Sequence, residues 1–284
     1  MIFLLFLLIV TMKGGKKRGR MNIRNIFLFS LIAILAIFTL TTVMAVGPYG
    51  ANVTQTRTET APIDNATSNN ALAGNVTELL ISGYTTTQSW QGYFGNVSGV
   101  VQLADANDKV MYNWSVISPE GEVYASTNGT GIMWLNIQCF NFTAFGNYTS
   151  EVGSGGNTSL YGTNLSQLEA RFTIAWDDVD GVNETFTLFG SGHDLFYTAN
   201  QRFDVGECRN TRIYGDTGAG VNDEFEEVLL YEPVSTSVIF ASILDEEGPL
   251  GFDVGNHDFE MLVLEDGHGT DISVTPYFFY IELE

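Results

Sequence analysis

Short apolar runs, each closed by Gly, Asn, Asp or Pro, fill the chain from Leu79 to its end and constrain its fold more than any other feature. Such runs predict β-strands, because a strand needs only roughly four to eight residues whereas an amphipathic helix needs a longer periodic pattern. After the first 45 residues, residues 160–168 favour at most a short helix. Strands without alternating helices predict an all-β fold, an antiparallel β-sandwich of the immunoglobulin-like or jelly-roll type, built as one unit or as two packed modules.

The predicted strands follow the apolar runs, and two pairs of them have turn chemistry typical of hairpins. Strands are predicted over residues 79–84, 92–103, 110–117, 122–126, 132–142, 170–176, 184–189, 194–197, 212–214, 227–231, 237–244, 258–264 and 273–284. Ser118-Pro119-Glu120-Gly121 predicts a hairpin joining residues 112–116 to 123–125. Asp177 to Gly181 predicts a second, joining residues 171–176 to 185–189.

The first 45 residues have the order of a targeting segment. From Met21 a short basic segment is followed by an apolar run and by Val43-Met44-Ala45, with small residues where a signal peptidase cleaves. This order predicts an N-terminal hydrophobic signal helix, export and cleavage after Ala45, with translation starting at Met1 or Met21. The alternative is an uncleaved membrane anchor, because residues 26–46 are about long enough to span a bilayer.

A basic cluster at residues 16–20 precedes this apolar helix. A basic stretch before such a helix also resembles prepilin leaders, in which the helix is retained for assembly. The polar residues 21–25, directly after the cluster, fit that pattern poorly. We therefore expect a signal peptide first, a plain anchor second and a prepilin-type leader last.

The chain beyond the leader is strongly acidic. Six of the 12 Lys and Arg residues lie in the first 45 positions, so the remainder has six basic against 33 acidic residues, a net charge of −27. Lys109 is the one lysine of that remainder. Because proteins bind nucleic acid mainly through Lys and Arg contacts to phosphates, we expect no nucleic-acid partner.

Asn-x-Ser/Thr acceptors for N-linked glycans are dense. They occur at Asn52, Asn65, Asn75, Asn96, Asn113, Asn128, Asn141, Asn147, Asn157, Asn164 and Asn183. Chance would give only about three or four acceptors among 21 asparagines. The excess behind a signal segment predicts an exported, N-glycosylated surface.

The acceptors end near residue 190, and most of the acidic residues follow. Residues 46–76, rich in Thr and Asn, predict an extended lead-in, and residues 77–284 predict a β-rich extracellular domain. We expect glycans to coat this domain up to about residue 190. The acidic, acceptor-free part is then expected to pack against a neighbour, a cation layer or the cell surface. Alternatively, an acidic, Asn-poor sequence simply lacks acceptors.

Cys139 and Cys208 are the only two cysteines. An exported protein meets oxidising conditions, so we predict that they form a disulfide. Closing a loop of this length stabilises the fold by on the order of 3 to 4 kcal/mol in the chain-entropy model. Two buried thiols are the alternative.

A candidate calcium site lies around Gly181. Asp178, Asp180, Asn183 and Glu184 place oxygen ligands around this glycine, and Ca²⁺ binds about six to eight oxygens gathered in such a loop. The spacing to a terminal bidentate Glu is missing, so the loop is no EF-hand. A solvated acidic turn is the alternative, and we expect no other cofactor.

The histidines and aromatic residues raise two further alternatives. His193, His257 and His268 each have an Asp nearby, but none lies in a diagnostic metal or catalytic spacing, which favours hydrogen-bonded loop histidines and no enzyme. Seven aromatics at strand positions predict either core packing or a platform that stacks on sugars: Trp90, Tyr93, Phe94, Tyr112, Trp114, Trp134 and Trp176.

Dense acceptors, few lysines and short strands together resemble the composition of microbial, and especially archaeal, envelope proteins. The leading expectation is therefore a secreted or cell-surface glycoprotein with a structural role in an envelope, coat or filament. Its partners would be other copies of itself or other envelope proteins. A glycan-binding adhesin is the first alternative and a secreted hydrolase the second.

Overall fold

Antiparallel strands form most of the regular structure of the chain. The computed structural model describes residues 47–54, 56–63, 65–116, 119–140, 142, 164–188, 190, 192–244, 248–268 and 272–283, which belong to one compact unit, Ala45–Glu284. The strands are β1 (Tyr49–Gly50), β2 (Trp90–Gly95), β3 (Val100–Ala104), β4 (Val110–Ser115), β5 (Gly121–Ser126), β6 (Gln138–Cys139), β7 (Phe196–Thr198), β8 (Gln201–Phe203), β9 (Asn210–Arg212), β10 (Glu226–Glu232), β11 (Ser237–Ile243), β12 (Phe259–Leu264) and β13 (Phe278–Leu283). The helices are a 3-10 turn (Trp134–Asn136), α1 (Leu165–Arg171) and α2 (Val182–Thr185).

Seven strands form one sheet, the main sheet, in the order β1–β13–β5–β11–β10–β6, with β9 also paired to β10. β5 pairs with β11 on one side and β13 on the other, so strands distant in sequence meet at the centre. The other pairs are two-stranded: β2 with β12, β3 with β4, and β7 with β8. All pairs are antiparallel, which confirms the predicted all-β class.

Both faces of the main sheet are covered. Every residue of β10 is buried, and because successive side chains of a strand point to opposite faces, that requires cover on both sides. On one face Leu229 and Phe240 pack with residues of α1, α2 and β12. On the other, Leu230 and Ile239 pack with residues of β7, β8 and the two cysteines. The core is therefore two apolar layers that share one sheet.

The predicted disulfide lies in the second of these layers. Cys139, at the end of β6, and Cys208, just before β9, are bonded, and their Cα atoms are 5.2 Å apart. Both residues are buried. The bond links the edge of the main sheet to the segment that covers it.

Two predicted strands are wrong, because α1 overlaps residues 170–176 and α2 overlaps residues 184–189. Asn164 and Gln167 form a capping box, in which each side chain bonds the backbone of the other, and this starts α1. The predicted hairpin around Asp177 to Gly181 is consequently a turn between two short helices.

The other predicted hairpin is also wrong. β4 pairs with β3, and β5 pairs with β11 and β13, so the turn at Pro119 to Gly121 connects strands that are not partners. Residues 92–103 contain parts of two strands, and the regular structure among the described residues of 132–142 is the 3-10 turn and β6. Residues 79–84, predicted as a strand, belong to no strand in the structure.

Candidate functional site

The β3–β4 pair, here called the ribbon, has one entirely apolar face. Val101 lies opposite Trp114 and Leu103 opposite Tyr112, and directly opposed residues of an antiparallel pair share a face. The Tyr112 and Trp114 rings contact each other edge to face, with centroids 4.9 Å apart. These four residues are the apolar ribbon face.

The apolar ribbon face is uncovered. Trp114 is 52% exposed and Tyr112 60%, and Val101 and Leu103 are exposed to a similar extent. An isolated two-stranded hairpin is at best marginally stable in water, and it needs a third strand or a packing partner. Within the described chain the ribbon therefore leaves an apolar face exposed to solvent.

The opposite face of the ribbon carries a glycan acceptor. Asn113 of β4 lies opposite Gln102 of β3, and its side chain is exposed. Because side chains alternate along a strand, a glycan on Asn113 projects away from Tyr112 and Trp114. A sugar here leaves the apolar ribbon face free for contact.

Residues 52–88 form a second uncovered feature, here called the arm. Each described residue of the arm is exposed, and none of them belongs to a helix or strand. Leu80 and Ile81 are among its most exposed side chains. At its start Ala51 N–H donates to Phe279 O at 2.9 Å, and at its end Gln88 O accepts from Gly267 N–H at 2.9 Å. The arm is therefore a long loop fixed to the domain at both ends.

The predicted acceptors differ in their accessibility. Five are exposed, namely Asn52, Asn65, Asn75, Asn96 and Asn113. Asn128 is half-buried, and its side-chain amide donates to Ser237 Oγ at 2.8 Å. Asn164 is buried as the cap of α1, and its Oδ1 accepts from Gln167 N–H at 3.1 Å. Asn141, Asn147 and Asn157 lie outside the described residues.

The carboxylates of the predicted calcium loop bond to other protein groups. Asp178 Oδ2 accepts from Ala175 N–H at 2.6 Å. Asp180 accepts from the Thr87 hydroxyl, which ties the base of the arm to this turn. Across the described ranges, no group of three or more His, Cys, Asp or Glu side chains is arranged to hold a metal ion. Calcium binding at this loop stays a prediction.

The other two predicted ligands lie in α2. Asn183 Oδ1 accepts from Arg209 at 3.0 Å, and its amide donates to Glu184 Oε1 at 3.2 Å. Glu169 of α1, which the sequence did not suggest, accepts backbone N–H groups at the start of α2, and its burial raises its pKa. This carboxylate fixes the turn that the sequence assigned to calcium.

His193 is buried and has both ring nitrogens bonded. Nδ1 lies 2.7 Å from the carbonyl of Asp194, and Nε2 accepts from Cys208 N–H at 3.0 Å. Because Nε2 accepts, the proton is on Nδ1 and the ring is neutral. Burial lowers the pKa of His193 in agreement. The residue fixes the loop beside the disulfide.

The other two histidines contact acidic side chains. His257 Nε2 lies 2.7 Å from Asp253 Oδ1. His268 lies between two carboxylates, with Nε2 3.8 Å from Asp178 and Nδ1 3.8 Å from Asp266. The contact of His268 with Asp178 joins two loops, and that of His257 lies within one loop. Neither arrangement indicates a particular reaction.

The seven aromatics divide into core and surface. Trp90 and Tyr93 pack against one core layer, and Trp134 against the other. The Phe94 ring packs against the rings of Phe252 and His257, with centroids 5.0 and 4.8 Å apart. Four of the seven are exposed: Phe94 itself, Tyr112 and Trp114 on the ribbon, and Trp176 on the turn between the helices.

Buried glutamates are a feature that the sequence did not suggest. They are Glu122, Glu169, Glu226, Glu227, Glu232 and Glu260. Glu226 accepts from the backbone N–H groups of Asp194 at 2.7 Å and Asp223 at 3.2 Å, and Glu227 accepts from Leu262 N–H at 2.8 Å. Burial raises the pKa of Glu226 to about 6 and that of Glu227 well above its ordinary value. Glu226 thereby fastens two loops to the main sheet, and Glu227 fastens β12 to it.

Comparisons with known proteins found no matching family model, curated protein or solved structure. Within the described ranges, no helix is both long and apolar enough to cross a membrane. The predicted leader, residues 1–45, lies outside those ranges. The function therefore has to be inferred from the chain's own surface, on which the ribbon and the arm are uncovered apolar features among others, such as Trp176 and Val179.

Proposed function

We propose that this chain is an exported surface glycoprotein that serves as a structural subunit of an envelope, coat or filament. The observation that carries the proposal is the ribbon, whose apolar face is exposed while the glycan acceptor Asn113 lies on its opposite face. Large exposed apolar surfaces are uncommon on soluble monomers and mark interaction sites. The packing of β2 and β12 on one face of the main sheet favours the sandwich architecture that we propose for the domain.

A protein partner suits the apolar ribbon face better than a sugar does. Sugars are held by stacking together with several hydrogen bonds to their hydroxyl groups. On this face only the Tyr112 hydroxyl and the Trp114 indole N–H can make such bonds, since Val101 and Leu103 are purely apolar. The adhesin alternative keeps support from the exposed aromatics, and a glycan array probed with the purified protein tests it.

Purification of the protein from its exporting host tests the proposal. We expect ordered assemblies by negative-stain microscopy and by sedimentation in native salt, with glycans on the exposed acceptors by peptide mapping. A monodisperse monomer over the whole concentration range, or a protein found inside the cell with unmodified asparagines, would contradict it. Binding of one sugar class by a stable monomer would favour the adhesin.

A further inference from the structure

The exposed apolar end of the arm and strand β3 of the ribbon lie in one uncharged stretch of sequence. From Leu79 to Ala104, the sequence has no Asp, Glu, Lys or Arg, although these residues make up 16% of the chain and about four would be expected over that length. The stretch begins in the arm and ends in β3. In a chain with a net charge of −27 after the leader, such a stretch is where two copies meet without like-charge repulsion.

The arm supplies an apolar strand-forming segment at residues 79–83, here called the donor segment. Leu79, Leu80 and Ile81 are 57%, 102% and 83% exposed. The run has strand composition, yet within the described chain it pairs with no strand. The glycan acceptors of the arm lie before it, the nearest at Asn75, and the segment itself contains none.

The apolar ribbon face is the matching surface. Tyr112 and Trp114, at 60% and 52% exposure, leave on the order of 250 Å² of ring surface open. A stable interface buries about 800 Å² on each partner, so the apolar ribbon face alone is too small for one. The donor segment is of comparable size, so one junction between the two surfaces is smaller than a standard interface, and the contact is a weak one that repetition along an assembly reinforces.

We propose that the donor segment of one copy docks on the apolar ribbon face of a second copy. This inference rests on the proposed function and specifies how the subunits would contact each other. One kind of junction covers both the donor segment and the apolar ribbon face. The donor segment and the apolar ribbon face are different surfaces, so the contact is heterologous. It repeats from copy to copy and builds a ring or a filament. The glycan acceptor Asn113, on the far side of the ribbon, faces outward from the junction.

Single substitutions on the two surfaces test the proposal in the full-length protein. Trp114→Ser removes the largest side chain of the apolar ribbon face, and Leu80→Asp places a charge on the donor segment. We expect each to raise the concentration needed for half-assembly by on the order of a hundredfold. Gln102→Ser is the matched control, because Gln102 is exposed and pairs with Asn113 on the opposite face of the ribbon, and we expect this variant to assemble like wild type. Unchanged melting temperatures verify that all three variants fold.

Mixing the two defective variants distinguishes the proposed contact from others. The Trp114→Ser chain keeps its donor segment and the Leu80→Asp chain keeps its ribbon, so the mixture should form one-to-one pairs that neither variant forms alone. Wild-type assembly that neither substitution weakens, or a mixture without pairs, would overturn this contact and leave the structural role standing. A wild-type monomer in which Trp114→Ser exposes the arm to protease would mean docking within one chain, and it would overturn both.

Discussion

The disulfide between Cys139 and Cys208 should supply a large part of the stability of the fold. The bond closes a loop with a sequence separation of 69 residues. In the chain-entropy model a loop of this length stabilises the folded state by about 4 kcal/mol. For a domain of this size that corresponds to a fall in Tm of roughly 8 to 16 °C when the bond is absent.

The assay compares oxidised protein with protein that was unfolded, reduced and refolded in reductant. Cys139 and Cys208 are 6% and 1% exposed, so reduction has to be carried out on the unfolded chain. A thiol count on unfolded, unreduced protein should give no free thiol. Reduced wild type retains both sulfur atoms and isolates the bond from packing, whereas a Cys139→Ala/Cys208→Ala variant adds the loss of buried sulfur. A reduced protein that melts within about 2 °C of the oxidised form would refute the reasoning.

Two further predictions concern buried polar groups. Burial raises the pKa of Glu226 to about 6 and raises that of Glu227 well above its ordinary value, so the folded chain holds protons that the unfolded chain releases. The free energy of unfolding should therefore fall as pH rises from about 4.5 through 6, with Glu226 alone contributing about 2 kcal/mol. Urea unfolding at pH 5 and pH 8 measures this, and Glu227→Gln, which keeps an acceptor for Leu262 N–H, should flatten the dependence; equal or greater stability at pH 8 would contradict it. Asn164→Ala should cost about 1 kcal/mol by removing the cap of α1, whereas Asn164→Asp should cost less. Peptide mapping should find Asn164 bare and Asn113 glycosylated, and a glycan on Asn164 in folded protein would contradict its placement.

The sequence predicted those strands whose side chains are buried on both faces. β10, β11 and β12 begin and end within one residue of the predicted ranges, because continuous apolar runs bounded by turn residues have few other structures open to them. α1 was expected as at most a short helix over residues 160–168 and its end was assigned to a strand, although Asn164 and Gln167 carry the signal of a capping box. A helix of seven residues has too few turns for its apolar period to stand out from strand alternation.

The ribbon was predicted as strands but with the wrong partner. β4 has turn-forming residues on both sides, around Asp108 and around Gly121, so local chemistry allows it to pair forward or backward. The pairing follows from β5, which lies at the centre of the main sheet between β11 and β13 and has both edges occupied. The buried state of glutamates such as Glu226 and Glu227 could not be foreseen either, since they accept from the backbone N–H groups of Asp194 and Leu262, which are distant in sequence.

The anchoring of the arm at Gln88 sets a length scale for any polymer that this chain builds. Leu79 lies nine residues before the anchor, and an extended backbone advances at most about 3.4 Å per residue. The tether therefore reaches no further than about 30 Å from the root of β2. Neighbouring subunits would have to follow one another at a short pitch, with each ribbon held close to the body of the copy before it, so the lattice would be dense even where its sugar coat is thick.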